Sequence, residues 1–72
     1  MDIQSALKKG QSILIDNNII SAKLDSEILM SQAIRKSKKF IILNLHKEIK
    51  KRHLDYFDKL IQERAKSLSL IH

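Results

Sequence analysis

The 72-residue chain has no cysteine, no proline and no tryptophan, and it has only one glycine. Without cysteine it forms neither disulfides nor thiolate metal sites, a composition typical of a reducing compartment. A single glycine, Gly10, excludes a glycine-rich phosphate-binding loop. No apolar run exceeds four residues. The sequence therefore predicts neither a signal peptide nor a membrane span, and we expect a cytoplasmic protein with a natural N-terminus at Met1.

The polar residues that are present do not form a recognisable catalytic or metal site. His46 and His53 have no third ligand beside them and are predicted to be surface histidines. Asp25 and Glu27 are two residues apart, so on a helix they point in different directions and make a poor acid–base pair. A structural role is preferred, in which these carboxylates favour the positive end of a helix and pair with a base such as Arg64. The chain by itself is predicted not to be an enzyme.

Positive charge is concentrated in one stretch of the chain. The sequence has 14 Lys and Arg against 8 Asp and Glu, a net charge of +6. The basic window, residues 35–52, contains eight bases and one acid. Such a window can meet RNA, an acidic protein surface or an anionic membrane, although a solvated lysine face is an equally good interpretation. The candidate partner-binding residues are Arg35, Lys36, Lys38, Lys39, Lys47, Lys50 and Lys51.

Apolar residues spaced three and four apart predict an all-α fold, a small bundle of four to five helices. The first helix is predicted from Asp2 to about Asn17, and the second from the Ser21 cap to Arg35 or Lys36. A short third helix is predicted at 38–43 with Ser37 as its cap, and a long fourth one at 46–67 with Asn44 as its cap. A strand is the alternative for residues 40–43, but no second strand candidate exists to pair with it.

Each predicted helix has an expected apolar face. Gly10 lies inside the pattern of the first helix, where it costs ~1 kcal/mol relative to alanine, and a close helix crossing would explain it. The apolar run 40–43 is expected to be buried, whereas residues 68–72 lose the helical spacing. The first helix presents Ile3, Ala6, Leu7, Gly10, Ile13 and Leu14. One side of the second presents Leu24, Ile28, Ser31 and Gln32, with Leu29 and Ala33 beside them. The fourth presents Ile49, Leu54, Phe57, Leu60, Ile61, Arg64 and Leu68.

The sequence does not favour direct nucleic-acid binding. A helix-turn-helix can be read into residues 21–43, with the bases of residues 35–39 directed at phosphates. The recognition helix would then carry the apolar run 40–43, which belongs in a core. Tyr56 and Phe57 are the only adjacent aromatics, and Phe57 is on the apolar stripe, so stacking recognition of single strands is weak as well.

Residues 20–30, ISAKLDSEILM, resemble the I-x-x-P-R-L-D-A-E-L-L-L signature of the N-terminal domain of peptide chain release factor glutamine methyltransferases, the HemK/PrmC family. The shared positions include Leu24, Asp25 and Glu27. The basic turn, the Leu/Ile run and a long helix with Arg64 near its end follow in the family's order, and the resemblance covers essentially all 72 residues. The chain departs from the family pattern at five places: Ala22 for proline, Asn18 and Arg35 for glycine, Leu68-Ser69 for Glu-Pro, and Arg64 alone for the family's arginine pair.

The resemblance implies a helical recognition domain at residues 1–67 and, at 68–72, the start of a junction to a C-terminal methyltransferase domain. The whole enzyme would transfer a methyl group from S-adenosylmethionine to the glutamine of the GGQ motif in bacterial class I release factors. The cofactor site and an Asn-Pro-Pro-Tyr motif are implied for the C-terminal domain, so no catalytic, cofactor-binding or metal residue is expected here. The implied partners are the release factor and the methyltransferase domain, with no membrane. The alternative is a free-standing basic helical adaptor that binds RNA or an acidic protein through residues 35–52.

Overall fold

Three helices pack around a shared core, and a fourth, short helix packs against one of them. The computed structural model describes the backbone of residues 1–71 and the side chains of residues 1–66. The helices are α1 (Ile3–Asp16), α2 (Ala22–Ile34), α3 (Lys38–Leu43) and α4 (Lys51–Ile71). α1, α2 and α4 contact one another, and α3 packs on α2. The predicted fold class, a small all-α bundle, is confirmed.

The core is built from residues of all four helices. Phe57 and Ile61 of α4 are fully buried, together with Leu14 of α1 and Met30 of α2. Gly10 faces this centre, where an added Cβ would lie 2.7 Å from Cζ of Phe57. The structure thus contains the close helix crossing that would explain a glycine at this position. The buried apolar residues are Ile3, Ala6, Leu14, Ile19, Ala22, Met30, Ala33, Ile41, Phe57 and Ile61.

Local capping explains where α1 and α3 begin and where α1 ends. The Asp2 carboxylate accepts a hydrogen bond from the backbone N–H of Ser5 at 2.8 Å, and the Ser37 hydroxyl accepts one from Phe40 at 3.2 Å. Both are side-chain caps of helix N-termini. Asn18 has a positive φ of 64° after α1, the left-handed conformation that asparagine tolerates. The predicted bounds of α3 are confirmed, and those of α1 and α2 agree within a residue or two.

Ser21 precedes α2 as predicted, but its side chain does not cap the helix. Its hydroxyl donates to Oδ2 of Asp25 at 2.9 Å instead of accepting from a backbone N–H. At the other end Arg35 adopts the left-handed conformation, with φ 59°. This conformation is most easily reached by glycine, which explains why glycine suits this position.

The predicted apolar faces of α2 and α3 were wrong in part. α2 buries a row of mostly small residues, Ala22, Ser26, Met30 and Ala33, and leaves Leu24 and Ile28 exposed. The small residues let the helices approach closely, so packing selects them over the larger side chains. In α3 only Ile41 is buried, whereas Ile42 and Leu43 are 54% and 72% exposed.

α4 begins at Lys51, five residues later than predicted, and it continues through Ile71 rather than ending near Ser67. Asn44 is not its cap: it ends α3, where its side-chain amide donates to the Phe40 carbonyl at 2.7 Å. The predicted stripe is buried at Phe57 and Ile61, and its flanking residues Leu54, Leu60 and Arg64 are half-buried. Leu68, also assigned to this stripe, lies outside the described side chains, and residue 72 lies outside the described backbone.

Candidate functional site

The start of α1 is hydrogen-bonded to one part of the basic window, residues 45–49. The first N–H groups of a helix have no partner within it. Here the N–H of Ile3 donates to the Lys47 carbonyl and that of Gln4 donates to the Leu45 carbonyl, both at 2.9 Å. The N–H of Ile49 donates back to the Met1 carbonyl at 3.1 Å. These bonds hold residues 45–49 beside the N-terminus as an irregular segment and not as the first turn of α4.

This segment closes one side of a cavity of about 220 Å³, which we call the Phe40 pocket. Its floor is apolar and comes from four separate parts of the chain, and its rim is mainly basic. The floor consists of Ile3, Ile34, Phe40 and Ile49, and the rim of Lys36, Lys47, Lys50 and His53, with Glu48 beside them. Ile3 is buried, whereas the other three floor residues and His53 are half-buried.

Two of the rim lysines lie over the Phe40 ring. The Nζ atoms of Lys36 and Lys47 are 5.4 Å and 5.6 Å from the ring centroid. Both distances fall within the ~6 Å at which an ammonium group is attracted to an aromatic face. The ring thus holds two positive charges at the mouth of an apolar cavity, while both side chains stay exposed to solvent.

The acidic group at this rim is already paired. The α-amino group of Met1 lies 3.1 Å from Oε2 of Glu48. This pair offsets the single carboxylate of the basic window, so the three lysines of the rim (Lys36, Lys47 and Lys50, here called the pocket lysines) determine the local charge. Their potential favours an anionic partner.

The seven candidate partner-binding residues do not form one continuous strip. The pocket lysines converge on one cavity. Lys38 turns toward α2, where its Nζ lies 3.7 Å from Oε1 of Glu27, and Lys51 lies 4.0 Å from Asp55 of its own helix. Arg35 and Lys39 are exposed. A partner-binding role for the seven residues stays a prediction, and the geometry singles out three of them.

The four motif residues also separate into different roles. Asp25 accepts a hydrogen bond from Nε of Arg64 at 3.1 Å, which joins α2 to α4 as the sequence suggested. Glu27 faces the opposite side of α2 and pairs with Lys38. Leu24 is 49% exposed, so it contributes little to the core of the described domain. The two carboxylates have separate structural partners, in keeping with a poor acid–base pair.

Sequence reasoning did not identify the floor of the pocket or His53 as part of the site. Phe40 was assigned to the core, and His53 was treated as an ordinary surface histidine. The one available signal was an aromatic residue in the middle of the basic window, four residues after Lys36. Ile3 is far from that window in sequence, so no local pattern could connect it to the site.

The side chains of residues 1–66 offer little other chemistry. No group of three or more His, Cys, Asp or Glu that could hold a metal ion occurs among the described residues. Within the part of the chain that the structure describes, no helix is both long enough and apolar enough to cross a membrane. The Phe40 pocket is our candidate binding site, because three of the predicted partner-binding lysines line it.

Comparison with known protein families identifies the domain. Residues 5–70 match the model of the PrmC N-terminal domain, which is nearly the whole chain. Searches of curated proteins and of solved structures gave no significant match. The match agrees with the all-helical fold and with the resemblance that residues 20–30 carry. The chain belongs to the PrmC N-terminal domain family.

Proposed function

We propose that this domain recognises a bacterial class I peptide chain release factor and positions it for a methyltransferase domain of the same enzyme. That domain would methylate the glutamine of the release factor's GGQ motif, with S-adenosylmethionine as methyl donor. Membership of the PrmC N-terminal domain family supports the link to this enzyme. One observation supports the recognition role: the pocket lysines converge on one solvent-open cavity.

The described residues do not fit an S-adenosylmethionine site. The only glycine of the chain is packed against Phe57 in the centre of the bundle, so it is not part of a loop that could cradle a nucleoside. The chemistry of methyl transfer is accordingly assigned to the other domain. What these residues supply is an exposed basic surface around the Phe40 pocket.

The pocket lysines act while the release factor approaches the domain, before the two proteins are in contact. Exposed charges on an interface raise the association rate through long-range attraction and change the final affinity less. Their effect decreases as salt shortens the range of the interaction, to ~8 Å at 0.15 M ionic strength. An acidic patch on the release factor is the complementary surface.

The test compares two variants of the enzyme encoded by the complete reading frame. Lys47→Glu/Lys50→Glu reverses two pocket lysines, and Lys9→Glu/Lys59→Glu reverses two exposed lysines on α1 and α4, so both variants have the same net charge. Stopped-flow association with the release factor is measured from 20 to 300 mM salt. We expect the first variant to associate at least tenfold more slowly at low salt, with a flatter salt dependence.

Equal rates for the two variants would contradict the proposal, because net charge alone would then account for any change. The alternative function, an adaptor that binds RNA, is addressed with the same proteins. A salt-dependent gel shift with RNA, lost in Lys47→Glu/Lys50→Glu and combined with no binding of release factor, would favour the adaptor.

A further inference from the structure

We infer that the Phe40 pocket accepts one large apolar side chain from an acidic segment of the protein partner. The inference rests on the proposed function and adds to it the kind of segment that is recognised. Lysines on a surface attract acids at many positions, whereas a cavity beside them fixes one point of the partner. The side chains of Phe40, Ile34 and Ile49 are hydrocarbon, and the lining of the cavity is mostly apolar.

The size of the pocket favours a side chain over a cofactor or metabolite. Its volume is about 220 Å³. Sites for small-molecule ligands are usually ~300–1,000 Å³. An apolar cavity of ~150 Å³ is large enough to hold benzene. A phenylalanine, leucine or methionine side chain therefore fits, whereas a nucleotide cofactor does not.

The lining favours an apolar group over a nucleobase. A base inserted among Ile34, Phe40 and Ile49 would bury polar edges that these side chains cannot pair, and unpaired polar groups are costly to bury.

The rim determines what flanks the inserted side chain. The pocket lysines stand around the cavity, and the one carboxylate among them, Glu48, is paired with the α-amino group of Met1. Aspartate or glutamate residues on both sides of the apolar residue would each meet an ammonium group. The expected recognition element is thus a short acidic stretch with one large apolar residue at its centre.

The first experiment uses the 72-residue chain and three fluorescein-labelled peptides. The peptides are DEDFDED, DEDSDED, which lacks the apolar residue, and GSGFGSG, which lacks the acids. Binding is followed by fluorescence anisotropy at 50 and 200 mM salt. Burial of one large apolar side chain predicts that the first peptide binds about tenfold or more tightly than the second. The third peptide should bind more weakly than the first, and its affinity should not depend on salt.

A variant whose pocket is filled by a larger side chain serves as the structural control. Ile49→Phe adds volume to the floor and should abolish the preference for DEDFDED over DEDSDED, whereas Ile49→Val should retain it. Thermal unfolding of both variants establishes that they are folded. If Ile49→Phe does not fold, methyl NMR spectra of the wild-type chain replace it: DEDFDED, and not DEDSDED, should shift the methyl signals of Ile34 and Ile49.

The outcomes separate this inference from the proposed function. Equal, salt-dependent affinities for DEDFDED and DEDSDED would overturn the inference, because the lysines would then act without the pocket. In that case the release factor experiment with Lys47→Glu/Lys50→Glu still decides the proposed function. Displacement of DEDFDED by a single-stranded RNA oligonucleotide at lower concentration than by unlabelled peptide would also overturn it, in favour of a nucleic-acid site.

Discussion

Asp25 and Arg64 join the second and fourth helices through a hydrogen-bonded ion pair, although they are 39 residues apart in sequence. Nε of Arg64 lies 3.1 Å from Oδ2 of Asp25, and the same oxygen accepts the Ser21 hydroxyl at 2.9 Å. The side chains are 18% and 30% exposed, so water screens the pair only in part. The pair explains why an aspartate stands in the signature of residues 20–30: it fixes the start of α2 against α4.

Removal of this carboxylate is expected to destabilise the fold. Asp25→Ala should reduce the free energy of unfolding by about 1–2 kcal/mol, which is the range for a hydrogen bond to a charged group after partial screening by solvent. Urea denaturation measures the change. Ser21→Ala removes the smaller partner of the same oxygen and should cost less. A double-mutant cycle of Asp25→Ala with Arg64→Lys tests the pair directly, and additive effects would contradict a direct interaction.

Gly10 is required by the close approach of α1 to α4. An alanine Cβ there would lie 2.7 Å and 2.9 Å from two ring carbons of Phe57, which is fully buried and has little room to move. Alanine favours a helix over glycine by ~1 kcal/mol, but overpacking of a core typically costs ~1–3 kcal/mol. Gly10→Ala should therefore lower the melting temperature.

A matched control and a second substitution test this reason. Ser12→Ala changes an exposed position of the same helix and should leave stability unchanged or raise it slightly. Phe57→Leu removes the ring atoms that meet the new methyl group, so Gly10→Ala should cost less in that background than in the wild type. An equal cost in both backgrounds would show that the ring of Phe57 is not the obstacle.

Local signals in the sequence predicted most of the fold. Asp2 and Ser37 are caps whose partners lie three residues away, and Asn18 ends α1 through its own backbone conformation. Such features need no knowledge of the rest of the chain. The start of α4 was missed because the carbonyls of Leu45 and Lys47 bond to α1, more than 40 residues earlier. This long-range pairing prevents residues 45–49 from joining the helix.

The sequence predicted the positive charge of the candidate site, but it did not predict the cavity. The pocket lysines were identified from the density of basic residues alone. The cavity that selects three of the seven bases requires Ile3, which only the folded chain brings to Phe40. The partial error for α2 has a similar origin, since its apolar residues occur on more than one side and tertiary packing decides which row is buried.

The exposed residues of α2 provide a test of which face of this helix is buried. Leu24 and Ile28 lie on the solvent side, whereas Met30 is fully buried. Leu24→Gln and Ile28→Gln should each change the unfolding free energy by less than about 0.5 kcal/mol, while Met30→Ala should cost about 2–5 kcal/mol. Chemical denaturation of the three variants measures this contrast. Comparable losses at Leu24 and Met30 would mean that Leu24 belongs to the core.

The loss of fold stability at acid pH should depend on the charge of Asp2. The pKa of Asp2 is held below its ordinary value of 3.8, chiefly because its carboxylate accepts the backbone hydrogen bond of Ser5, with help from the Ser5 side chain and the charges of His46 and Met1. A carboxyl group whose pKa is lowered on folding stabilises the fold above its unfolded pKa. That contribution is lost as the pH falls through 3.8 toward the folded value.

Asp2→Asn tests this dependence because asparagine can still cap the helix but carries no charge. We expect the variant to melt below the wild type at pH 7 and the difference to shrink as the pH is lowered from 4 toward 2. Melting curves at half-unit pH steps measure it. Asp16→Asn, at the other end of α1, removes the same charge at a position that is not the N-cap, and it serves as the matched control. A difference in melting temperature that stays constant down to pH 2 would mean that the hydrogen-bonding geometry of Asp2 stabilises the fold and its charge does not.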